Sequence, residues 1–293
     1  MREFLIIFVI VFVVIIGGLA VCFLMSARSF QAEDAPDSIY QESQTLMAYT
    51  PESSLPISGD ANQKPAKNLV FKFPVFNYHH IRPMPPETAH INERSFTVTP
   101  EGFEKHLQYF RDNGYQPVTL NALFDFFETG QPLPKKAVAI TFDDGRWGQY
   151  DLAFPLLQKY GFAATFFIVT DWVGQDGFVT WDEVREMSDA GMLIGSHTLD
   201  HFNMNTLSDE RLAQECANSK TIIEGKIGKK VDYLAYPGGS HNQRVMDAVK
   251  AAGYKGAMTV FKIIDQSPAW PYEIRRFHAD DDLGSIMSKL AEY

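Results

Sequence analysis

Two adjacent carboxylates, Asp143 and Asp144, stand where an apolar run ends. The run, residues 137–142, reads Ala-Val-Ala-Ile-Thr-Phe, and Gly145 follows the acids. Continuous apolar runs are typical of parallel strands buried on both faces, and the residues after such strands line the crevice where ligands bind. Two neighbouring carboxylates repel unless a cation or a proton lies between them. Taken alone, the pattern fits a ligand site and a solvated Asp-Gly turn equally well.

Two histidines, His197 and His201, follow a second apolar stretch, residues 192–195. Imidazoles four residues apart lie on the same side of a helical turn and can converge on one cation. Because the acids and the histidines both follow the ends of predicted strands, we expect all four side chains on one rim of the fold. One carboxylate plus two imidazoles, with open positions, suits zinc and other divalent transition metals. The two motifs together predict a divalent metal site, with zinc as the first candidate.

The elements that must position these residues alternate between strand-like and helix-like stretches from Leu69 onward. Seven or eight apolar strands are separated by helices whose starts carry capping residues, as at Thr99-Pro100 and in the capping box Thr180–Glu183. This alternation predicts an α/β fold of parallel βαβ units, in a barrel or a doubly wound sheet. One domain over residues 69–293 accommodates all of them.

The N-terminus has a different character. Residues 4–25 form an uninterrupted apolar stretch, long enough to span a bilayer as a helix and longer than the apolar part of most cleaved signal peptides. We therefore predict a transmembrane signal anchor over residues 1–28, with lipidation at Cys22 as an alternative. Residues 29–68 hold six acids and two lysines among Ser, Pro and Gln, which predicts a flexible acidic linker. The domain is then expected on the extracytoplasmic side of a single-pass membrane protein.

The charge of the chain narrows its partners. The formal net charge is −10, which argues against nucleic acid as a ligand and favours a neutral or cationic one. The two cysteines, Cys22 and Cys216, lie in the predicted span and in the domain, so the domain cannot form an internal disulfide. The oligomeric state is not encoded in any of these patterns.

Three motifs in succession resemble those of the polysaccharide deacetylases of the NodB-homology type, carbohydrate esterase family 4. They are Thr141-Phe-Asp-Asp-Gly145, His197-Thr-Leu-Asp-His201 and Tyr236-Pro-Gly-Gly239. Residues 96–103 and 113–120 further resemble the branch that includes the poly-N-acetylglucosamine deacetylases. The resemblance implies a distorted (β/α) barrel of about seven parallel strands, preceded here by one transmembrane helix. It also implies metal-dependent removal of N-acetyl groups from a polysaccharide.

The resemblance implies a role for each residue that matches a family motif. Asp143 becomes the general base, which takes a proton from a water activated by the metal. The metal ligands become Asp144, His197 and His201, and the backbone N–H of Gly238 becomes a donor to the oxyanion. In the related branch the general acid is a histidine of an N-terminal strand motif, and Asn77-Tyr-His-His-Ile81 places His79 in that role.

The chain departs from the family pattern at one position and adds aromatic candidates. Many family members carry an arginine two residues before the motif-three proline, where this chain has Ala235. Arg276 on the last predicted strand is a candidate substitute that would orient the base, and a surface ion pair with residues 280–282 is the alternative. Three tryptophans near the rim could stack on sugar rings, with the first the best candidate: Trp147, Trp172 and Trp181.

The resulting prediction is a membrane-anchored, metal-dependent hydrolase that deacetylates an N-acetylglucosamine-containing polysaccharide. Alternatives with the same chemistry act on peptidoglycan, an O-acetylated glycan or a small amide. A non-catalytic glycan-binding protein on the same fold would not need both acids and both histidines. A non-haem iron oxygenase would not need the second acid. The sequence leaves open the polymer, its length and the native metal.

Overall fold

The structure is a computed structural model that describes residues 63–261 and 263–293, which form twelve strands and eight α-helices. The strands are β1 (Phe71–Lys72), β2 (Val75–Tyr78), β3 (His80–Ile81), β4 (Thr97–Val98), β5 (Gln116–Val118), β6 (Ala137–Phe142), β7 (Thr165–Ile168), β8 (Leu193–Ser196), β9 (Tyr233–Ala235), β10 (Gly256–Val260), β11 (Asp265–Gln266) and β12 (Ile274–His278). The helices are α1 (Ile91–Ser95), α2 (Pro100–Asp112), α3 (Leu120–Thr129), α4 (Phe154–Tyr160), α5 (Trp181–Asp189), α6 (Asp209–Ile227), α7 (Gln243–Ala251) and α8 (Leu283–Leu290).

Seven parallel strands close into a ring in the order β2, β12, β10, β9, β8, β7, β6, and β6 pairs with β2 to complete it. Along its other edge β6 is shared, because β5 pairs with its first half and β7 with its second. This division of one strand edge distorts the barrel. The predicted distorted (β/α) barrel of about seven parallel strands is confirmed, and the doubly wound alternative is wrong.

Alternation along each strand divides the core in two. On β6, Ala137 and Ala139 belong to a cluster inside the ring, whereas Val138, Ile140 and Phe142 pack outward against the helices. Small inward residues leave room inside the ring for larger side chains, such as Phe167 of β7. Gly195 of β8 lies against the phenyl ring of Phe167, and a Cβ at residue 195 would lie 2.5 Å from that phenyl ring.

Most predicted boundaries agree with the structure. Thr99 caps α2 by accepting the N–H of Gly102, and Thr180 and Glu183 form the predicted capping box at the start of α5. Helix α4 is preceded by a π-helical turn, Gln149–Ala153. The apolar stretch that ends at Tyr78 forms two strands, β1 and β2.

The predicted anchor, residues 1–28, lies outside the described residues, as does the predicted linker up to residue 62. Within the described ranges, no helix has the length and apolar character needed to cross a membrane.

Candidate active site

Four strands bring the predicted site residues to the carboxyl-end rim of the barrel. Of these, β12, β2 and β6 are consecutive in the ring, and β7 separates β6 from β8. The inward alternation that begins at Ala137 continues through Thr141 to Asp143, so the first acid points into the mouth of the barrel. The same alternation on β12 points Arg276 inward at the same level.

A cluster of three donors lies at this rim. Nε2 of His197 and Nε2 of His201 lie 3.6 Å and 3.7 Å from Oδ1 of Asp144. Two ligands of a tetrahedral zinc ion lie about 3.4 Å apart, given bonds of about 2.0–2.1 Å. Across residues 63–261 and 263–293, no other group of three His, Cys, Asp or Glu side chains has this proximity. The three residues could therefore hold a divalent metal, as the sequence predicted.

A backbone contact fixes the tautomer of His197. Its Nδ1 lies 2.8 Å from the carbonyl oxygen of Ala235, which can only accept a hydrogen bond. Nδ1 therefore carries the proton, and the lone pair of Nε2 faces Asp144, as in many metal-binding histidines. His197 is only 1% exposed, so this orientation is set by the fold rather than by solvent.

The two histidines converge by a route that the sequence did not predict. Residues 197–201 are not helical; the chain turns after β8 with Thr198 and His201 both at φ 67°. The hydroxyl of Thr198 accepts the N–H of His201 at 3.2 Å, and the rings of His197 and His201 lie 4.7 Å apart. The expectation of a shared helical turn is wrong, because left-handed residues that are not glycine leave little signal in a sequence.

The side chain of Asp144 points in a different direction from that of Asp143. Its φ of 79° turns its carboxylate toward the histidines, while Oδ2 accepts a hydrogen bond from Nε of Arg146 at 3.2 Å. Burial raises the pKa of Asp144, but the charges of Arg146 and His201 outweigh this effect and hold the pKa well below its usual range. The carboxylate is therefore ionised and available to a cation.

Asp143 is held by a buried arginine. Nη1 and Nη2 of Arg276 each donate to one of its carboxylate oxygens at 2.6 Å, and Nδ2 of Asn77 donates to Oδ2 at 3.0 Å. Burial raises the pKa of Asp143, but the charge and hydrogen bonds of Arg276 reverse the effect and lower it to about 2. Arg276 is fully buried, so the alternative of a surface ion pair with residues 280–282 is wrong.

His79 lies between β2 and β3, and its ring approaches the carboxylate of Asp143. Its Nε2 is 4.0 Å from Oδ2 of Asp143, the same distance as Nε2 of His197. The ring packs against Phe96 at 4.7 Å and His278 at 5.3 Å. Burial lowers the pKa of His79 to about 3, although the charges of Asp144 and Asp143 oppose the change. His79 is therefore neutral at physiological pH.

Gly238 lies in the turn Pro237–Gly239 that follows β9, next to the strand that carries His197. It has a φ of 62°, and a Cβ there would meet no atom within 4 Å, so this part of the rim is open. The ring of His241 stacks on Tyr236 with centroids 4.8 Å apart, and its Nδ1 lies 3.1 Å from the carbonyl oxygen of Gly239. His241 thus contacts residues on both sides of Gly238 and supports the turn.

The three tryptophans differ in their surroundings. The rings of Trp172 and His201 lie 5.1 Å apart, so Trp172 borders the donor cluster. Trp181 packs on the hydrophobic core beneath Lys226, which disfavours a sugar contact. Trp147 is half-buried, and its backbone N–H donates to the carbonyl of Gly177 at 3.0 Å.

The structure adds site residues that sequence reasoning missed. Asn77 lies on β2, two residues before His79, and its side chain donates to Asp143. A polar residue within an apolar strand, close to a candidate general acid, could have indicated that it faces the site. Gln149 donates from Nε2 to the carbonyl oxygens of His79 and Asp143, at 2.9 Å and 2.5 Å. It lies in the π-helical turn, and no local pattern marks it.

Comparison with known proteins agrees with this geometry. Residues 130–257 match the family model described as polysaccharide deacetylase. The Bacillus subtilis protein YxkH, provisionally named a polysaccharide deacetylase, is 32% identical over 197 residues, which are 67% of this chain and 66% of that protein. The poly-β-1,6-N-acetyl-D-glucosamine N-deacetylase of Staphylococcus epidermidis is 26% identical over 264 residues, 82% of this chain and 90% of that one.

A solved structure, the Streptococcus pyogenes deacetylase PplD in complex with acetate, matches with a TM-score of 0.69 and 25% identity, over 76% of this chain and 99% of that one. The matched segment spans just under two thirds of the length of YxkH, and from 33% to 90% of the lengths of other curated relatives. The shared barrel and the sequence similarity point to the same group, and this chain belongs to the polysaccharide deacetylase family.

Proposed function

We propose that this chain is a metal-dependent hydrolase that removes N-acetyl groups from an N-acetylglucosamine-containing polysaccharide. The observation that carries the proposal is the division between the two adjacent acids. Asp144 faces the two histidines, whereas Asp143 is clamped by Arg276 and faces the mouth of the barrel. Family membership and the named activity of the Staphylococcus epidermidis relative support the same chemistry.

The donor set suits a divalent transition metal. Asp144, His197 and His201 offer one carboxylate oxygen and two imidazole nitrogens, and the tautomer of His197 leaves Nε2 free to bind. Zinc is the first candidate for this set. When bound, such a cation supplies Lewis-acid polarisation of a carbonyl oxygen and acidifies a water molecule.

Asp143 acts as the general base in this proposal. With a pKa of about 2 it is ionised throughout the physiological range, and the two hydrogen bonds from Arg276 fix the direction of its oxygens. A low pKa makes a carboxylate a weaker base. The fixed position of the carboxylate must therefore compensate for its weak basicity. Its Oδ2 lies 4.0 Å from Nε2 of His79, the proposed acid, and 4.0 Å from Nε2 of His197, a proposed metal ligand.

His79 acts as the general acid, and its neutrality decides the order of proton transfers. A neutral imidazole cannot protonate the departing amine until it has received a proton itself. The nearest carboxylate is that of Asp143, whose Oδ2 lies 4.0 Å from Nε2 of His79, so a proton passes between them through one intervening water molecule. We infer that the proton which Asp143 takes from water passes to His79 and then to the amine. The backbone N–H of Gly238 stabilises the oxyanion from the open turn after β9.

The proposed location is the cell envelope. An anchor over residues 1–28 and a linker over residues 29–68 would hold the catalytic domain, residues 69–293, outside the cytoplasm and near polymer that leaves the cell. Membrane fractionation of the full chain, beside a version without residues 1–28, tests this. Equal recovery of both in the membrane fraction would contradict the anchor.

The activity is tested with the full-length chain on N-acetylglucosamine oligomers. We expect release of acetate and free amine, abolished by a chelator, restored by zinc and lost in Asp143→Asn. Parallel assays on peptidoglycan fragments and O-acetylated glycans separate the alternative substrates. Binding of oligomers without acetate release from any substrate, in protein that holds zinc, would instead support a glycan-binding role.

A further inference from the structure

A buried carboxylate on α6 holds the loop that carries His197 and His201. Glu215 is only 1% exposed, and its Oε2 accepts the backbone N–H of Leu199 at 2.8 Å. The N–H of Asp200 donates to the same carboxylate. Leu199 and Asp200 lie between the two histidines in the sequence, so Glu215 binds the middle of the donor loop.

Glu215 is accompanied by a cation that also reaches the loop. Nη2 of Arg211, one helical turn earlier on α6, lies 2.6 Å from Oε1 of Glu215 and 2.6 Å from Oδ2 of Asp200. A buried charge is costly without such a partner. An ion pair therefore lies against the loop of residues 197–201. An apolar side chain in its place could pack against the loop but could not accept its N–H groups.

The loop needs such support because of its backbone. Thr198 and His201 adopt positive φ values that are unfavourable for residues with a side chain, and such conformations persist only where the surroundings determine them. Neighbouring backbone N–H groups, those of Thr170 and Asp171 after β7, donate to the carbonyls of Thr198 and Leu199. They satisfy two carbonyl acceptors of the loop, and Glu215 accepts N–H groups from the same stretch.

We propose that Glu215 is a positioning residue of the metal site, which sets the affinity for a divalent cation by fixing the separation of His197 and His201. The inference rests on the proposed metal site and goes beyond it, because Glu215 is neither a ligand nor part of the catalytic group. Without the carboxylate, the N–H groups of Leu199 and Asp200 lose their acceptor, and the loop relaxes toward other conformations.

The same helix offers a matched control. Glu224, nine residues later on α6, also accepts a backbone N–H from a loop, that of Val231, at 3.0 Å. It also has a cation one turn earlier, Lys220, at 3.2 Å. Its loop precedes β9 and carries none of the three donors. Glu224→Gln therefore makes the same chemical change, loss of the charge and of one acceptor oxygen, at the far end of the helix.

The test measures the zinc dissociation constant and the melting temperature of the zinc-free, full-length chain. Glu215→Gln keeps the size of the side chain and one acceptor oxygen, but it removes the charge that pairs with Arg211 and replaces the other oxygen with a donor group. It is expected to weaken zinc binding by about 10- to 100-fold, as for other residues that orient metal ligands. Glu224→Gln is expected to lower the melting temperature but to leave zinc affinity within about twofold of the original chain, since it touches only a remote loop. Equal zinc affinity in the two variants would overturn the proposal.

A second substitution keeps the test decisive if Glu215→Gln does not fold. Arg211→Met changes a side chain that is 42% exposed and leaves Glu215 in place without its cation. It is expected to weaken zinc binding more than Glu224→Gln does, and an affinity equal to that control would contradict the proposal. Failure of the original chain to bind zinc would overturn the proposed metal site and this inference together. Zinc binding that Glu215→Gln leaves unchanged would overturn this inference alone.

Discussion

Removal of Arg276 should change how the stability of the protein depends on pH. In the original chain Asp143 has a pKa of about 2, below its ordinary value of 3.8, because Arg276 outweighs the effect of burial. A depressed pKa contributes stability that is present above the unfolded value and is lost as the pH falls through the folded value. The difference between 3.8 and about 2 corresponds to roughly 2–3 kcal/mol at neutral pH.

Arg276→Met leaves Asp143 buried without a cation, so burial then raises the pKa of that carboxyl above its ordinary value. The variant is expected to be about 3–5 kcal/mol less stable at pH 7, as when a buried ion pair loses one partner. This deficit should shrink by roughly 1 kcal/mol or more between pH 7 and pH 3, because the original chain loses its advantage and the variant protonates Asp143.

Urea unfolding of the metal-free, full-length chain at a series of pH values measures this difference. Arg275→Met is the control, since Arg275 lies on the same strand but stacks on Trp270 at 4.3 Å instead of bonding Asp143. Its deficit should vary less with pH over the same range. A deficit for Arg276→Met that stays constant from pH 7 to pH 3 would refute the assignment of Arg276 as the group that lowers the pKa of Asp143.

Three further substitutions probe other parts of the site and the fold. Asp144→Asn should abolish zinc binding and reduce acetate release by at least about 10³-fold, because it removes the anionic donor; metal content and activity are measured on the same sample. His79→Gln should lower kcat by about 10²- to 10⁴-fold and leave zinc affinity unchanged, since His79 contacts Asp143 and is outside the donor cluster. Gly195→Ala should destabilise the chain by about 1–3 kcal/mol in thermal unfolding, because the new Cβ would lie 2.5 Å from the ring of Phe167. Zinc retained by Asp144→Asn, zinc lost by His79→Gln or an unchanged melting temperature for Gly195→Ala would each contradict the role given to that residue.

The parts of the fold that follow from local patterns could be predicted from the sequence. Apolar runs and capping residues mark most strands and helix starts, and the C-terminal ends of parallel strands gather Asp144, His197 and His201 on one rim. The helical turn expected for residues 197–201 failed, because the positive φ values of Thr198 and His201 come from tertiary contacts rather than from residue type. The prediction that His197 and His201 lie together is confirmed, but the prediction that a helical turn brings them together is wrong.

Contacts between distant residues were the hardest to predict. Asp143 and Arg276 are 133 residues apart, and only the absence of an arginine at Ala235 suggested looking for a substitute elsewhere. Glu215 gave no signal, because a glutamate on a helix usually marks the face toward solvent. Its burial becomes apparent only when α6 is placed against the donor loop.

The closure of the ring through β2 and β12 has a consequence for biogenesis. Asp144, His197 and His201 lie within one continuous stretch in the middle of the chain, whereas Arg276 lies on β12, the last barrel strand to be synthesised. Until β12 inserts beside β2, Asp143 has no guanidinium partner and the ring is open. The carboxylate of Asp143, the proposed general base, therefore gains its two hydrogen bonds from Arg276 only when the last barrel strand has been added, which couples its orientation to completion of the barrel.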